Sequence, residues 1–516
     1  MSAIITDQLR ILNAKNFVSV ATSSSNSYYS FVGLTNATDY STSWDSSPPA
    51  PKDSFEQEND YWDTMVALKK INPSDVSQVV RKNTWSSGTT YDMYRHDISR
   101  TNTSKPSGAT SLYSANYYVI NSDFRVYICL QNGTDPENPN GRPSLDEPTF
   151  IDLEPKAAGD SGDGYIWKYL YTIKPSEVIK FDTVNFIPVP KNWETSSEFL
   201  AIRNNASSIN NQLKIVTITN RGVGLGTANR TYTNVPIKGD GEGAKATIVI
   251  NNDSKVESIT VSIGGSGYTY GTVDLVGGNV PTGTSAPTFD VIIPPKGGHG
   301  ADIYRELGAY NVLVFSRIEN DIENPDFIVG NKIARVGLVE NPQAYNSTSL
   351  LDLDKASAVY ALRLTGVGYS SASFTSNSQI TQTISTGTTA VGRVISYDQN
   401  TGVLKYWQDK SLVGFNTDGS QNSSPTYGFK LNRFTNSVGT GGTTILNGTS
   451  LSIDTTFTGV STTLNNRTYN LGQSFINGLA NPEVKKYSGN IIYVDHRPSI
   501  TRSSNQKEDI KVILQF

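Results

Sequence analysis

Short apolar runs bounded by Gly, Pro, Asn and Ser punctuate most of the chain, a pattern that reads as β-strands joined by turns. Tyr-Tyr-Ser-Phe-Val-Gly-Leu at 28–34 predicts a strand, followed by a polar turn stretch to Ser43 and then Trp44. Ser47-Pro48-Pro49-Ala50-Pro51 is extended, because a residue before Pro is pushed away from the helical region. Residues 56–71 predict one of few helices. Tyr61, Trp62, Met65 and Leu68 recur on one face, Glu56, Glu58 and Asp60 sit near the start, and Lys69 and Lys70 close it. Pro73 stops that helix, and a second helical turn is predicted at 75–80, leading into Arg81 and Trp85.

Further on, 116–120 and 124–130 read as consecutive strands. In the second, Phe124, Val126, Ile128 and Leu130 line one face, while Arg125, Tyr127 and Cys129 line the other. A Pro/Asn/Gly/Asp loop at 131–147 follows. Gly162-Asp163-Gly164 then turns into an aromatic strand at 165–171, and Pro175 opens a short helix. Strands are predicted again at 311–318, 333–339 and 359–364. A hairpin joins 391–397 to 403–407 through the Asp/Asn/Gly turn at 398–402. One face of the strand at 510–516 is wholly apolar and ends on Phe516, so the strand is expected to be buried on one side.

Between 205 and 294 the texture is Gly-rich β, with a weak internal repeat. Val216 to Leu225 and Ile259 to Tyr268 each run a strand into a Gly-x-Gly turn. Two copies suggest a small β module rather than a solenoid, which needs about three. Most of 414–463 is Ser, Thr, Gly and Asn, too polar to build much core.

Composition strengthens the β reading. Of 516 residues only 36% are hydrophobic and 17% charged, whereas Gly (43), Pro (23) and Tyr (27) are plentiful, favouring turns and half-buried strands over long helices. That length exceeds one typical core, so two or three domains are expected. A net charge of −4 without a dense Lys/Arg block argues against nucleic-acid binding. One Cys rules out an intrachain disulfide framework. Neither a signal peptide nor a membrane span is read from the apolar runs, which gives the expectation of a soluble product made in the cytoplasm.

Candidate chemistry is sparse. Gly159-Asp160-Ser161-Gly162 imitates a serine-protease nucleophile, but none of the three His lies in a matching context, and a tight turn is the better reading. The Gly-x-Gly loops at 222–226 and 239–243 lack the helix that a phosphate cradle requires. His96, His299 and His496 are too dispersed for a metal centre. His299 is expected to be a loop residue packed against backbone. A carboxylate pair for glycan hydrolysis is not singled out by any spacing. Neither catalytic nor cofactor residues are therefore assigned. Trp62, Trp85 and Trp167 are read as core residues ahead of interface residues.

Three stretches together resemble the baseplate wedge subunit, gene product eight, of T-even-type contractile-tailed phages. The first holds Trp44, Pro49, Trp62, Met65, Arg81 and Trp85. The second is Gly162-Asp163-Gly164-Tyr165-Ile166-Trp167, with Cys129 upstream in its strand. The third holds Gly489, Tyr493, Arg497, Pro498 and the strand ending on Phe516. The resemblance covers about 20–205, a piece near 333–342, and 484–516. Segments 206–295 and 366–470 look like insertions relative to the shorter family member, a size pattern associated with phages of cyanobacteria.

The resemblance implies a mainly β fold, a layered antiparallel β-sandwich with a few short helices. The core comprises 1–205, 296–365 and 471–516, with inserted β-rich modules at 206–295 and 366–470. It also implies a non-enzymatic structural part of the virion tail baseplate, assembled in the host cytoplasm. Its partners would be a second copy of itself, as a homodimer, and other baseplate wedge proteins, with no cofactor, nucleic acid or membrane insertion. A tail fibre or receptor-binding adhesin, and less so a virion glycan hydrolase, are the competing readings.

Overall fold

The computed structural model describes residues 3–35, 44–207, 212–319, 332–385, 388–408, 433–436, 444–446, 450–503 and 506–516. The expected turn stretch before Trp44 and most of the polar segment 414–463 lie outside them. Strands take 39% of the chain and helices 13%, so the protein is mainly β, with antiparallel sheets and few short helices. It divides into two compact units. The first comprises Met1–Val18, Ser77–Leu313 and Ile513–Phe516; the second comprises Ser19–Val76 and Val314–Val512.

Among the described residues, the first unit carries two large hydrophobic cores. One is aromatic and surrounds the three-stranded sheet of Tyr118–Ile120, Arg125–Asn132 and Tyr165–Thr172. The central strand is buried on both faces, since Val126, Tyr127, Ile128, Cys129 and Leu130 are all at most 1% exposed. Phe124, expected within that strand, instead occupies the turn before it at φ 58° and is half-exposed. The other core is built wholly from residues 213–293. There both copies of the repeat adopt the same device: a strand (Ile215–Asn220 or Val256–Ile263) enters two glycines with positive φ. These are Gly222 and Gly224 in one copy, Gly265 and Gly267 in the other. A buried side chain, Leu225 or Tyr268, ends each copy.

A helix that periodicity did not reveal is α1 (Asp7–Ala21), whose residues up to Val18 belong to the first unit. Apolar residues are spread around its circumference, so no single apolar stripe marks it out.

In the second unit a five-stranded sheet runs in the order Lys355–Ser357, Met65–Lys70, Tyr28–Gly33, Lys332–Glu340, Asn490–Thr501. One face packs Tyr29, Phe31 and Leu68 against Trp62; the other packs Val32, Val66 and Ile333 against Ile318, Ile395 and Trp407. Burial on both faces accounts for the nearly continuous apolar run at 28–34.

The helix expected at 56–71 is a correction. α2 spans Phe55–Thr64, capped by the Ser54 side chain accepting from Gln57 N, and Met65 is already extended at ψ 132°. Met65–Lys70 is a strand between two others. A helical turn at 75–80 does not form either: Pro73–Asp75 is a single 3-10 turn and Val76–Arg81 is a strand. Spacing in these short runs suits either periodicity, and sheet neighbours decide. Trp62, Met65 and Leu68 share one core, but not as one helical face, since Met65 and Leu68 lie on the strand, and Tyr61 is not part of that core. The predicted hairpin is present, with Thr388–Asp398 antiparallel to Val403–Trp407. In the final strand, Lys507–Gln515, Val512 is buried while Ile510 and Leu514 are half-buried.

Candidate functional site

The motif residues fall into two constellations, one in each unit. In the second unit, α2 and the strands Lys332–Glu340 and Asn490–Thr501 assemble a cluster around Arg335, whose side chain is 2% exposed. Its guanidinium donates to Asp60 Oδ2 at 2.6 Å and to Thr64 Oγ1 at 2.6 Å. It also lies 5.3 Å from the ring centroids of both Trp44 and Tyr61. A buried cation is tolerable only when paired in this way.

Trp44 and His496 hold the Pro-rich segment down. The Trp44 indole N–H donates to Arg497 O at 2.7 Å, and its ring lies 4.8 Å from that of His496. His496 Nδ1 donates to Pro49 O at 2.7 Å. Burial pushes the His496 pKa below its ordinary 6.5, the direction that favours the neutral ring. Asp45 accepts from Ser499 N at 3.2 Å and Lys332 Nζ at 3.1 Å. These contacts blunt the outermost strand, where Pro498 also removes a donor.

Gly489 at φ 74° enters that strand where a Cβ would lie 2.4 Å from Glu340 O. Before it, Tyr487 at φ 63° has its hydroxyl bonded to Asp63 Oδ1. Tyr493 lines a groove of ≈ 310 Å³ between Ile491–Val494 and residues 51–54, Glu58 and Tyr61.

In the first unit the Gly162-Asp163-Gly164 turn is an anchor. Asp163 accepts from Tyr165 N and Leu145 N, each at 2.9 Å. Gly164 passes Gly133 so closely that a Cβ would lie 2.8 Å from its Cα. Tyr165 stacks on Trp167 at 5.3 Å and donates to Arg142 O at 2.7 Å. Arg81 donates to Ala115 O at 3.0 Å, and the Trp85 indole to Ser144 Oγ at 3.1 Å. Phe516 packs 5.5 Å from Phe17 of α1, and its O accepts from Arg10 Nε at 2.6 Å. Trp62 and Trp167 are fully buried and Trp85 packs against the aromatic core.

Catalytic geometry does not emerge from either constellation. Burial pushes the Cys129 thiol well above its ordinary pKa, which leaves it unreactive. The protease-like Ser161 is an exposed turn residue whose N–H bonds Asp146. His299 is buried, with Nδ1 2.6 Å from Glu306 Oε1 and its ring 4.7 Å from Tyr94; its partner is thus a carboxylate rather than the backbone. Among the described residues no three His, Cys, Asp or Glu side chains converge as metal ligands. Arg335 and His496 were not singled out from the sequence. A charged residue inside an otherwise buried strand, as Arg335 is, was the available signal.

The fold and these constellations define a mainly β protein whose distinctive side chains hold loops and strand ends in place. Residues 3–152 match the Phage-Gp8 family model, described as bacteriophage T4, Gp8. That match supports a structural role in the phage tail baseplate and, with it, a location in the virion. No curated protein sequence matches the chain. Among the described residues no helix is long and apolar enough to cross a membrane.

Proposed function

We propose that this chain is a non-enzymatic subunit of the baseplate wedge in a contractile phage tail, acting as a homodimer among other wedge proteins. It holds the baseplate in shape before attachment and moves as a largely rigid part while its interfaces rearrange on contact with the host. The observation that carries this reading is the match over 3–152, where Trp44, Trp62, Met65, Arg81, Trp85 and Cys129 lie. The way many of the motif side chains are used supports it: Trp44, Arg81 and Asp163 hold backbone, and Trp62, Met65, Cys129, Tyr165 and Trp167 are buried in cores. Segments 206–295 and 366–470 are proposed as additions relative to the shorter family member, bearing contacts to neighbouring baseplate proteins.

The test is a pull-down of the purified chain with candidate wedge proteins, with light scattering of the chain alone. A dimer that retains a wedge partner is the expected result. A monomer that binds none overturns the reading.

A further inference from the structure

The outermost strand of the five-stranded sheet, Asn490–Thr501, is covered along only part of its free edge. At 496–499 the segment 44–49 lies against it: the Trp44 indole donates to Arg497 O, Asp45 accepts from Ser499 N, and His496 donates to Pro49 O. Each of these bonds uses a side chain. Pro48, Pro49 and Pro51 have no N–H to give, so this segment cannot pair with the edge as a strand. Further along, the two walls part. Among the described residues no backbone hydrogen bond joins 51–54 to 491–494, and the groove of ≈ 310 Å³ opens between them.

Three properties of the groove specify its occupant. Alternate residues of an antiparallel edge strand turn N–H and C=O away from their neighbour, so the wall at 491–494 presents backbone groups at the spacing of another extended chain. Asp53 and Glu58 both line the groove, and neither has an ion-pair partner among the described residues. Lys52 is the single cation lining it among those residues, so the groove carries net negative charge and complements a basic side chain. Lastly, Ile492, the extra residue of a bulge opposite Leu338 and Val339, is 38% exposed, and Phe55 beside Ser54 is 89% exposed. Apolar surface thus flanks the carboxylates.

We propose that this groove receives an extended segment of another protein, which adds as a strand to the edge at 491–494 and sets a Lys or Arg side chain against Asp53 and Glu58. Apolar residues of the same segment cover Ile492 and Phe55. This goes beyond the wedge reading and stands without it.

The probe is a fluorescent peptide of alternating Val and Lys, titrated into the full chain and followed by anisotropy. Saturable binding is expected, weakened at least tenfold when Glu replaces Lys in the peptide. D53N/E58Q should weaken it at least tenfold as well, with far-UV circular dichroism and thermal melting as folding controls. Two further peptides, N-methylated at every Val or at every Lys, keep the charge but each lose the donors of one edge. One of the two should bind at least tenfold more weakly than the parent. The proposal is overturned by an absence of saturable binding, by a folded D53N/E58Q that binds like wild type, or by N-methylated peptides that both bind like the parent. Light scattering tests the other occupant: a dimer that D53N/E58Q dissociates has a second copy in the groove, which overturns the separate partner.

Discussion

His496 couples proton binding to the Pro-rich segment, because it is half-buried between Trp44 and Tyr61 and donates to Pro49 O. Its folded pKa lies below 6.5, so the unfolded chain takes up the proton first as pH falls. The stability it contributes is complete above 6.5 and is lost as pH falls through its folded value. H496F should therefore show a shallower loss of stability between pH 7 and 5 than wild type, read by denaturant midpoint. Gly489 makes a second residue-level demand, for positive φ beside Glu340 O. G489A should cost about 1–3 kcal/mol in chemical denaturation. Removing Arg335 leaves Asp60 without its guanidinium, and R335A should cost about 3 kcal/mol on the same measurement. At this scale sequence pattern located Trp62, Trp167 and Gly164 well, because large aromatics and paired glycines state their needs locally. It did not locate Arg335, whose partners lie some 270 residues away.

Among elements, those with unambiguous punctuation were legible: the hairpin at 388–407, the strand after Gly164 and the helix opened by Pro175. Where two periodicities fitted the same residues, the tertiary neighbours chose. Met65–Lys70 is a strand because it is flanked by Tyr28–Gly33 and Lys355–Ser357, not because of local preference. α1 escaped notice for the opposite reason: apolar residues on two sides leave no single stripe to find. α2 is short enough that its cap matters, and S54A should lower stability by about 1 kcal/mol, checked by the urea midpoint.

At the scale of the whole molecule, the division into two units was not readable from composition. The chain passes between the units more than once, and its texture changes near 205 and 294 rather than at those crossings. What was readable is that residues 205–294 differ from their surroundings, and residues 213–293 do enclose a core of their own. The repeat inside that core makes a prediction at this scale. Gly222 and Gly265 play equivalent parts, and a Cβ at either would lie within 3 Å of backbone atoms. G222A and G265A should each destabilise the first unit by similar amounts, about 1–3 kcal/mol, read from the denaturation of that unit.

The lone cysteine makes that reading possible without altering the chain. Cys129 lies mid-strand in the aromatic core of the first unit, fully buried, and the second unit has no thiol at all. A thiol-specific chromophore added to the native protein can therefore react only as often as that core opens, and the labelling rate becomes a clock for one unit alone. With increasing urea the rate should climb towards that of the unfolded chain as the first unit opens, while events confined to the second unit leave it unmoved.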